Sequence, residues 1–301
     1  MIISMNTKSS LVHFSHLFGK RMIIHVLGTA QDGGYPHAGC KDDCCAYVWD
    51  KSELHRMPAS IAVVDQKNKK FYLFDITPSI KNQLHLLDKY NCELAGIFIT
   101  HAHIGHYTGL FELGLEIMNT NNIPVYVMPR MKKFILNNQP MAQLIENNNI
   151  QIMDAKNNKA ILFDNLSVIP FEVPHRNELS ETVGFRLLSS DKSVIYLPDI
   201  DSWDDWQVKL TEFIMDNNLL FLDGTFYKKN EIKLRDISRI PHPEVVDTMQ
   251  RLSALSSHYK KRVHFIHLNH TNEILKNQSE AFNNVINKGF SIAQENQIFE
   301  I

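Results

Sequence analysis

An apolar run that stops at a cluster of histidines is the strongest constraint this chain places on its own fold. Ile97-Phe-Ile-Thr reads as a buried strand, and His101, His103 and His106 follow it within six residues. A run of β-branched and aromatic residues belongs inside a sheet. Imidazoles just past its end, on a loop leading towards Gly109, have little packing value there but can converge on one small volume. Neutral imidazole nitrogen is a common ligand for borderline metals such as zinc, at about 2.0–2.1 Å. The chain has 15 histidines and only four cysteines, too few thiols for a disulfide scaffold. The chemistry is therefore sought at histidine.

Short β-rich runs recur on both sides of this motif, with helical stretches between them. Strands are expected at 22–27, 60–65, 71–74, 96–100, 125–128, 166–173, 183–188, 194–197, 219–222 and 263–268. Turn sequences such as Gln66-Lys-Asn-Lys69 and Ser189-Ser-Asp-Lys192 join neighbouring runs as hairpins. Helices are expected at 79–90, 109–119, 131–138, 141–147, 206–217, 243–258 and 279–288, the sixth opening on Pro243. Strand-rich halves flanked by helices imply two packed sheets with helices outside, an α+β layered domain. No Pro/Gly/Ser-rich linker and no repeat interrupts it. The expected division is a flexible leader over 1–21 and one domain over 22–301.

Composition excludes several classes. Hydrophobic residues at 44% and charged residues at 21% rule out disordered and fibrous chains. A net charge of −2, from 33 acids against 31 bases, gives no field that would steer the chain to nucleic acid or membrane. The basic runs Lys228-Lys229 and Lys260-Lys-Arg262 lack aromatic interleaving, so a nucleic-acid partner is not expected. No window approaches a membrane span, and the leader lacks an apolar signal core and a cleavage site. A cytoplasmic protein is expected, a homodimer being compatible with the sequence.

The motif around His101 resembles the metallo-β-lactamase superfamily, whose corresponding loop reads His-x-His-x-Asp-His. Further residues carry the resemblance in order: Asp75 at the end of Leu73-Phe-Asp75, His175 after Phe171-Glu-Val-Pro, Asp199 after Ile195-Tyr-Leu-Pro, and His267 within Phe265-Ile-His-Leu-Asn-His270. Within the superfamily the chain resembles the PqqB branch of pyrroloquinoline quinone biosynthesis. That likeness rests on Val26 to Pro36, Asp223-Gly-Thr-Phe226, His242-Pro243 and Ile266 to Asn272, and runs from about residue 22 to the end.

The resemblance implies an αββα four-layer sandwich and a metal-dependent hydrolase. His101, His103, His175 and Asp199 would hold one metal. His106, Asp199 and His267 would hold part of a second, with Asp75 orienting the histidine loop. Zinc is the expected ion, one or two per chain, with iron or manganese as alternatives. The superfamily's loop aspartate is Gly105 here, so the second site lacks a donor; Asp201, Asp223 and His270 are the neighbours considered to replace it. The same substitution leaves the cluster one positive charge higher, which favours a small anionic ester such as a phosphodiester. His242 aligns with a general-acid histidine of related branches, and Asp199 would bridge the metals. Alternatives are an iron-dependent oxidase or hydroxylase in quinone-cofactor biosynthesis, or a non-catalytic metal carrier. Cys40, Cys44 and Cys45, with His37 as a possible fourth donor, are read either as a structural zinc site or as free or redox-active thiols. Trp203 and Trp206, just beyond Asp199, are read either as pocket walls or as anchors for the next helix.

Overall fold

Short apolar runs form fourteen strands among the residues that the computed structural model describes, 22–229, 231 and 240–301. The leader expected over 1–21 lies outside the described residues. In chain order the strands are β1 Met22–Gly28, β2 Ser60–Asp65, β3 Lys70–Phe74, β4 Glu93–Phe98, β5 Ile123–Val127, β6 Ile150–Asp154, β7 Ile161–Leu162, β8 Ser167–Glu172, β9 Val183–Leu188, β10 Ser193–Leu197, β11 Leu219–Asp223, β12 Val263–Ile266, β13 Ser291–Ile292 and β14 Ile298–Glu300. They form two seven-stranded sheets, ordered β14-β1-β2-β3-β4-β5-β6 and β13-β12-β11-β10-β9-β8-β7. Each sheet is antiparallel on one side and parallel on the other: β3 to β6 run parallel in the first, β10 to β13 in the second.

The sheets face one another through a single apolar layer. Ile24, Val26, Ile61, Val63, Phe74 and Phe98 from the first meet Val183, Phe185, Tyr196, Phe221 and Ile266 from the second. Every residue of β2 is buried, which requires cover on both faces. That outer cover comes from helices. Those at Ile80–Leu87, Pro129–Asn137 and Gln139–Glu146 close the first sheet, and those at Leu210–Met215, Val245–Arg251 and Glu280–Asn287 close the second. The result is the expected αββα sandwich. No helix among the described residues is long and apolar enough to cross a membrane.

Three expected helices differ. Over 109–119 the chain forms a 3-10 turn at Thr108–Leu113 instead. Gly109 is packed so tightly that a Cβ would lie 2.3 Å from the Thr77 carbonyl oxygen, and its N–H donates to the Ile76 carbonyl at 3.0 Å. The loop is tied to the end of β3 rather than free to wind. The helix expected at 206–217 begins only at Leu210, because Trp206 is taken up by Phe171 and Phe213, with ring centroids 5.8 and 4.9 Å away. The helix expected from Pro243 begins at Val245 and breaks after Arg251, a short helix resuming at Ser257–Lys260.

Candidate metal centre

The parallel strands of both sheets end at the same edge of the sandwich, and their C-terminal loops meet there, where α/β folds commonly place a site. Asp75 follows β3 with a left-handed backbone, φ 64°. Thr100, His101, His103 and His106 follow β4; His175 follows β8; Asp199 follows β10; Asp223 ends β11; His267 follows β12, again left-handed at φ 63°. Non-glycine residues in this region cost about 1–3 kcal/mol each and gather at functional sites.

Each histidine but one is held from behind at Nδ1 by an oxygen. His106 Nδ1 donates to Asp75 at 2.8 Å, His175 Nδ1 to Asp201 at 2.8 Å, and His242 Nδ1 to Asp223 at 2.6 Å. His101 Nδ1 meets the Thr100 hydroxyl, and His267 Nδ1 the Thr225 hydroxyl, both at 2.9 Å. Nδ1–H donation leaves Nε2 with its lone pair facing inward, the arrangement found behind metal-bound imidazoles. His103 is the exception: it turns Nδ1 to the centre, 2.8 Å from His101 Nε2 and 3.3 Å from His175 Nε2.

Asp199 divides the space in two. Its Oδ1 lies 3.7 Å from His175 Nε2, while Oδ2 lies 3.4 Å from His106 Nε2 and 3.5 Å from His267 Nε2. The donor atoms of His101, His103 and His175 all lie within 4.8 Å of one another, as do those of His101, His106 and Asp199. Buried polar atoms are normally hydrogen-bonded, yet His106 Nε2, Asp199 Oδ2 and His242 Nε2 are buried here without a partner. Three orphaned atoms aimed into one space suit a cation, and the His/Asp donor set suits zinc, iron or manganese.

The electrostatics agree. Burial, reinforced by the neighbouring imidazoles, holds His101 well below the usual histidine value, and burial pulls His103 down to about 4, so both are neutral donors at pH 7. Burial acts against His106 as well, but Asp75, Asp199 and Asp32 outweigh it and hold its pKa well above normal. Those carboxylates call for positive charge, which a proton on His106 or a metal cation can supply. Burial opposes ionisation of Asp199, but His267 and His106 keep it ionised far below the ordinary carboxylate range.

One residue of this centre is absent from the sequence reading. Asp32, in the loop after β1, places Oδ1 3.3 Å from both His106 Nε2 and His267 Nε2. The signal was present but indirect: a glycine at 105 leaves room that another side chain must fill. Asp201 and Asp223, considered for that role, instead sit behind His175 and His242. His270 is brought together with Cys40 and Cys44.

A family model described as "Beta-lactamase superfamily domain" matches residues 71–268. The chain belongs to the β-lactamase superfamily. Within the superfamily it is similar to PqqB proteins. It is 23% identical to coenzyme PQQ synthesis protein B of Xanthomonas oryzae pv. oryzae over 302 residues, covering 91% of this chain and 98% of that protein. The crystal structure of Zn(2+)-bound PqqB from Methylobacterium extorquens matches with a TM-score of 0.78 at 19% identity, over 93% of this chain and 100% of that one. A diphosphatase from the PhnP family matches with a TM-score of 0.64 at 21% identity, over 93% of this chain and 97% of that one.

Beside this superfamily centre lies the cysteine cluster. Cys40 Sγ and Cys44 Sγ are 3.5 Å apart and group with His270, whose ring stacks on His37 at 4.3 Å. Cys45 is fully buried and accepts the His37 backbone N–H at 3.3 Å. Burial and the adjoining thiols push Cys44 up to about 12, so a thiolate there needs a cation beside it. Of the tryptophans, Trp203 is buried and donates to Thr248 Oγ1 at 2.8 Å, and Trp206 packs against the helix at Leu210–Met215. Both serve as anchors.

Proposed function

We propose that this chain is a metal-dependent hydrolase of a small anionic ester, of the phosphodiester class. His101, His103, His175 and Asp199 hold the first metal, and Asp199, His106 and His267 face a second. The observation that carries this reading is the convergence of inward-facing imidazole nitrogens on a split carboxylate, with orphaned atoms aimed between them. A divalent metal held there supplies Lewis acidity and brings the pKa of bound water towards about 7.

The chain's own residues supply the rest. Asp75 and Asp201, which can only accept, and Thr100, whose hydroxyl hydrogen goes to Asp75, fix the tautomers of His106, His175 and His101 so that lone pairs, not N–H groups, face the centre. Arg176 Nη2, 3.4 Å from His103 Nδ1, puts a fixed cation at the edge of the centre, suited to a phosphate oxygen. His242 is set for proton transfer. Burial would lower its pKa, but Asp223 raises it above the ordinary value. A ring nitrogen of His242 lies within 4.8 Å of the donor atoms of His175 and Asp199, and its Nε2 is buried without a partner. A proton at that Nε2 is within reach of a departing ester oxygen.

The relatives support this reading in part, since a PhnP-family diphosphatase shares the fold. A second reading, iron-dependent oxidation of a tyrosine-derived precursor in quinone-cofactor synthesis, is favoured by the full-length likeness to PQQ synthesis protein B. Turnover of bis(4-nitrophenyl) phosphate by untagged chain separates them. The hydrolase reading predicts release of nitrophenol that is abolished by His101→Ala together with His103→Ala. Absence of turnover, with oxygen consumption by the iron-loaded protein, would favour the oxidase. Absence of both, with metal retained, would leave a carrier.

A further inference from the structure

The superfamily loop offers a carboxylate at the position of Gly105, and this chain has none there. Asp32 occupies the vacated volume. A Cβ built on Gly105 would fall 2.5 Å from Asp32 Cα, 2.6 Å from its Oδ1 and 2.7 Å from its Cγ. The two side chains are mutually exclusive, and the one present turns its oxygen to the same two imidazoles, His106 and His267. His106 Nε2 is buried and without a hydrogen-bond partner although that oxygen is 3.3 Å away. His267 Nε2 lies within hydrogen-bond distance of the same oxygen, at 3.3 Å, so one carboxylate oxygen faces both imidazole nitrogens, the spacing of ligands around a shared point.

The loop is built to hold Asp32 there. Gly28 crosses Pro58 so closely that a Cβ would lie 1.9 Å from the Pro58 carbonyl oxygen, so only glycine allows the passage. Beyond it, Thr29 and Ala30 donate to the Met57 carbonyl at 2.9 Å, and Gln31 donates to Leu268 at 2.9 Å, next to His267. The Asn269 side chain donates to Gln31 Oε1. The loop is thus tied to the residues flanking a donor histidine.

We propose that Asp32 is a ligand of the second metal, supplying from the β1 loop the carboxylate that Gly105 lacks, so that the centre is binuclear. The inference rests on the metal-centre reading given above. It replaces the earlier expectation of a site short of one donor and richer by one positive charge: Asp32 restores both the ligand and the negative charge.

The test reads metal binding and not turnover, and so it is independent of the reaction assigned. Chelator-stripped full-length chain is titrated with Co²⁺ while the visible d–d bands are followed, each chain also carrying Cys40→Ser and Cys44→Ser so that no thiolate site adds bands of its own. The chain with Asp32 intact takes up two equivalents with d–d bands. Asp32→Asn keeps the first equivalent and weakens the second at least about tenfold. The retained first equivalent is the folding control within the same molecule. An Asp32→Asn chain that binds both equivalents at wild-type affinity overturns the proposal. Loss of both together also overturns it, by making Asp32 a structural residue. A chain with Asp32 intact that takes up no cobalt in the d–d region refutes the metal centre itself.

Discussion

Replacing Asp75 with asparagine removes one charge and almost no volume, at a residue that touches no proposed substrate. Asp75 is fully buried. Its Oδ1 accepts the Thr100 backbone N–H at 2.8 Å, while Oδ2 accepts from His106 Nδ1 at 2.8 Å and from the Tyr196 hydroxyl at 3.1 Å. Every one of these partners donates. An amide accepts on one side only, so its NH₂ must face either a backbone N–H that cannot turn away or the His106 imidazole. The imidazole yields: it changes tautomer, its Nδ1 becomes the acceptor, and Nε2 then carries a hydrogen aimed into the centre. Two effects follow. Loss of the charged hydrogen bond destabilises the fold by about 1.5–3 kcal/mol, and affinity for metal on the His106 side falls about 10–100-fold. His101 reaches Asp75 only through Thr100 Oγ1, which donates to Asp75 Oδ1 at 2.9 Å; an asparagine oxygen on that side keeps this bond, so the first site stays within a few-fold. Competition against a chromophoric chelator measures both affinities, and a urea titration measures stability. If Asp75→Asn binds the second metal as tightly as wild type, the tautomer argument is wrong, whatever happens to stability.

Three further outcomes are expected. Phe74 is fully buried between the sheets, 4.9 Å from Phe98 and 5.4 Å from Phe185 by ring centroids, so Phe74→Ala should cost about 3–5 kcal/mol in urea unfolding. His264 is buried against Phe221 and Phe299, and that burial lowers its pKa from 6.5 to about 4. Between those values the unfolded chain binds more protons than the folded one, so this contribution is complete above pH 6.5 and lost as pH falls to 4; it amounts to about 3 kcal/mol. In stability measured at pH 7 and pH 4, His264→Gln should lose that much less than wild type. Cys40→Ser with Cys44→Ser should abolish the thiolate-to-cobalt absorption, leave the d–d bands of the His/Asp centre in place, and lower bound metal by one ion per chain.

What was legible in the sequence follows from the range of the interactions. The strands buried on both faces, such as Met22–Gly28 and Ser60–Asp65, read clearly because nearly continuous apolar runs have few other uses. The edge strands Ile150–Asp154, Ser291–Ile292 and Ile298–Glu300 did not, being short, partly exposed and placed by their neighbours. The turn at Thr108–Leu113 was misread as a helix because the contact that prevents winding, Gly109 against Thr77, is tertiary. Among the site residues, the histidines and Asp199 were legible as ends of apolar strands. Asp32 was not: it lies in a Gly-rich turn that reads as a connection, and its role depends on the empty volume at a glycine far along the chain. Asp201 and Asp223 were read as spare ligands, whereas the structure uses them to orient His175 and His242.

The central claim is a metal centre built by the strand-end histidines and Asp199. An anomalous difference map at the absorption edge of the bound metal, from crystals of untagged protein grown without chelator, tests it most directly. One peak is expected bounded by His101, His103, His175 and Asp199, and a second bounded by Asp199, His106, His267 and Asp32. A map with no peak among these residues, or with a peak only at Cys40 and Cys44, would contradict it.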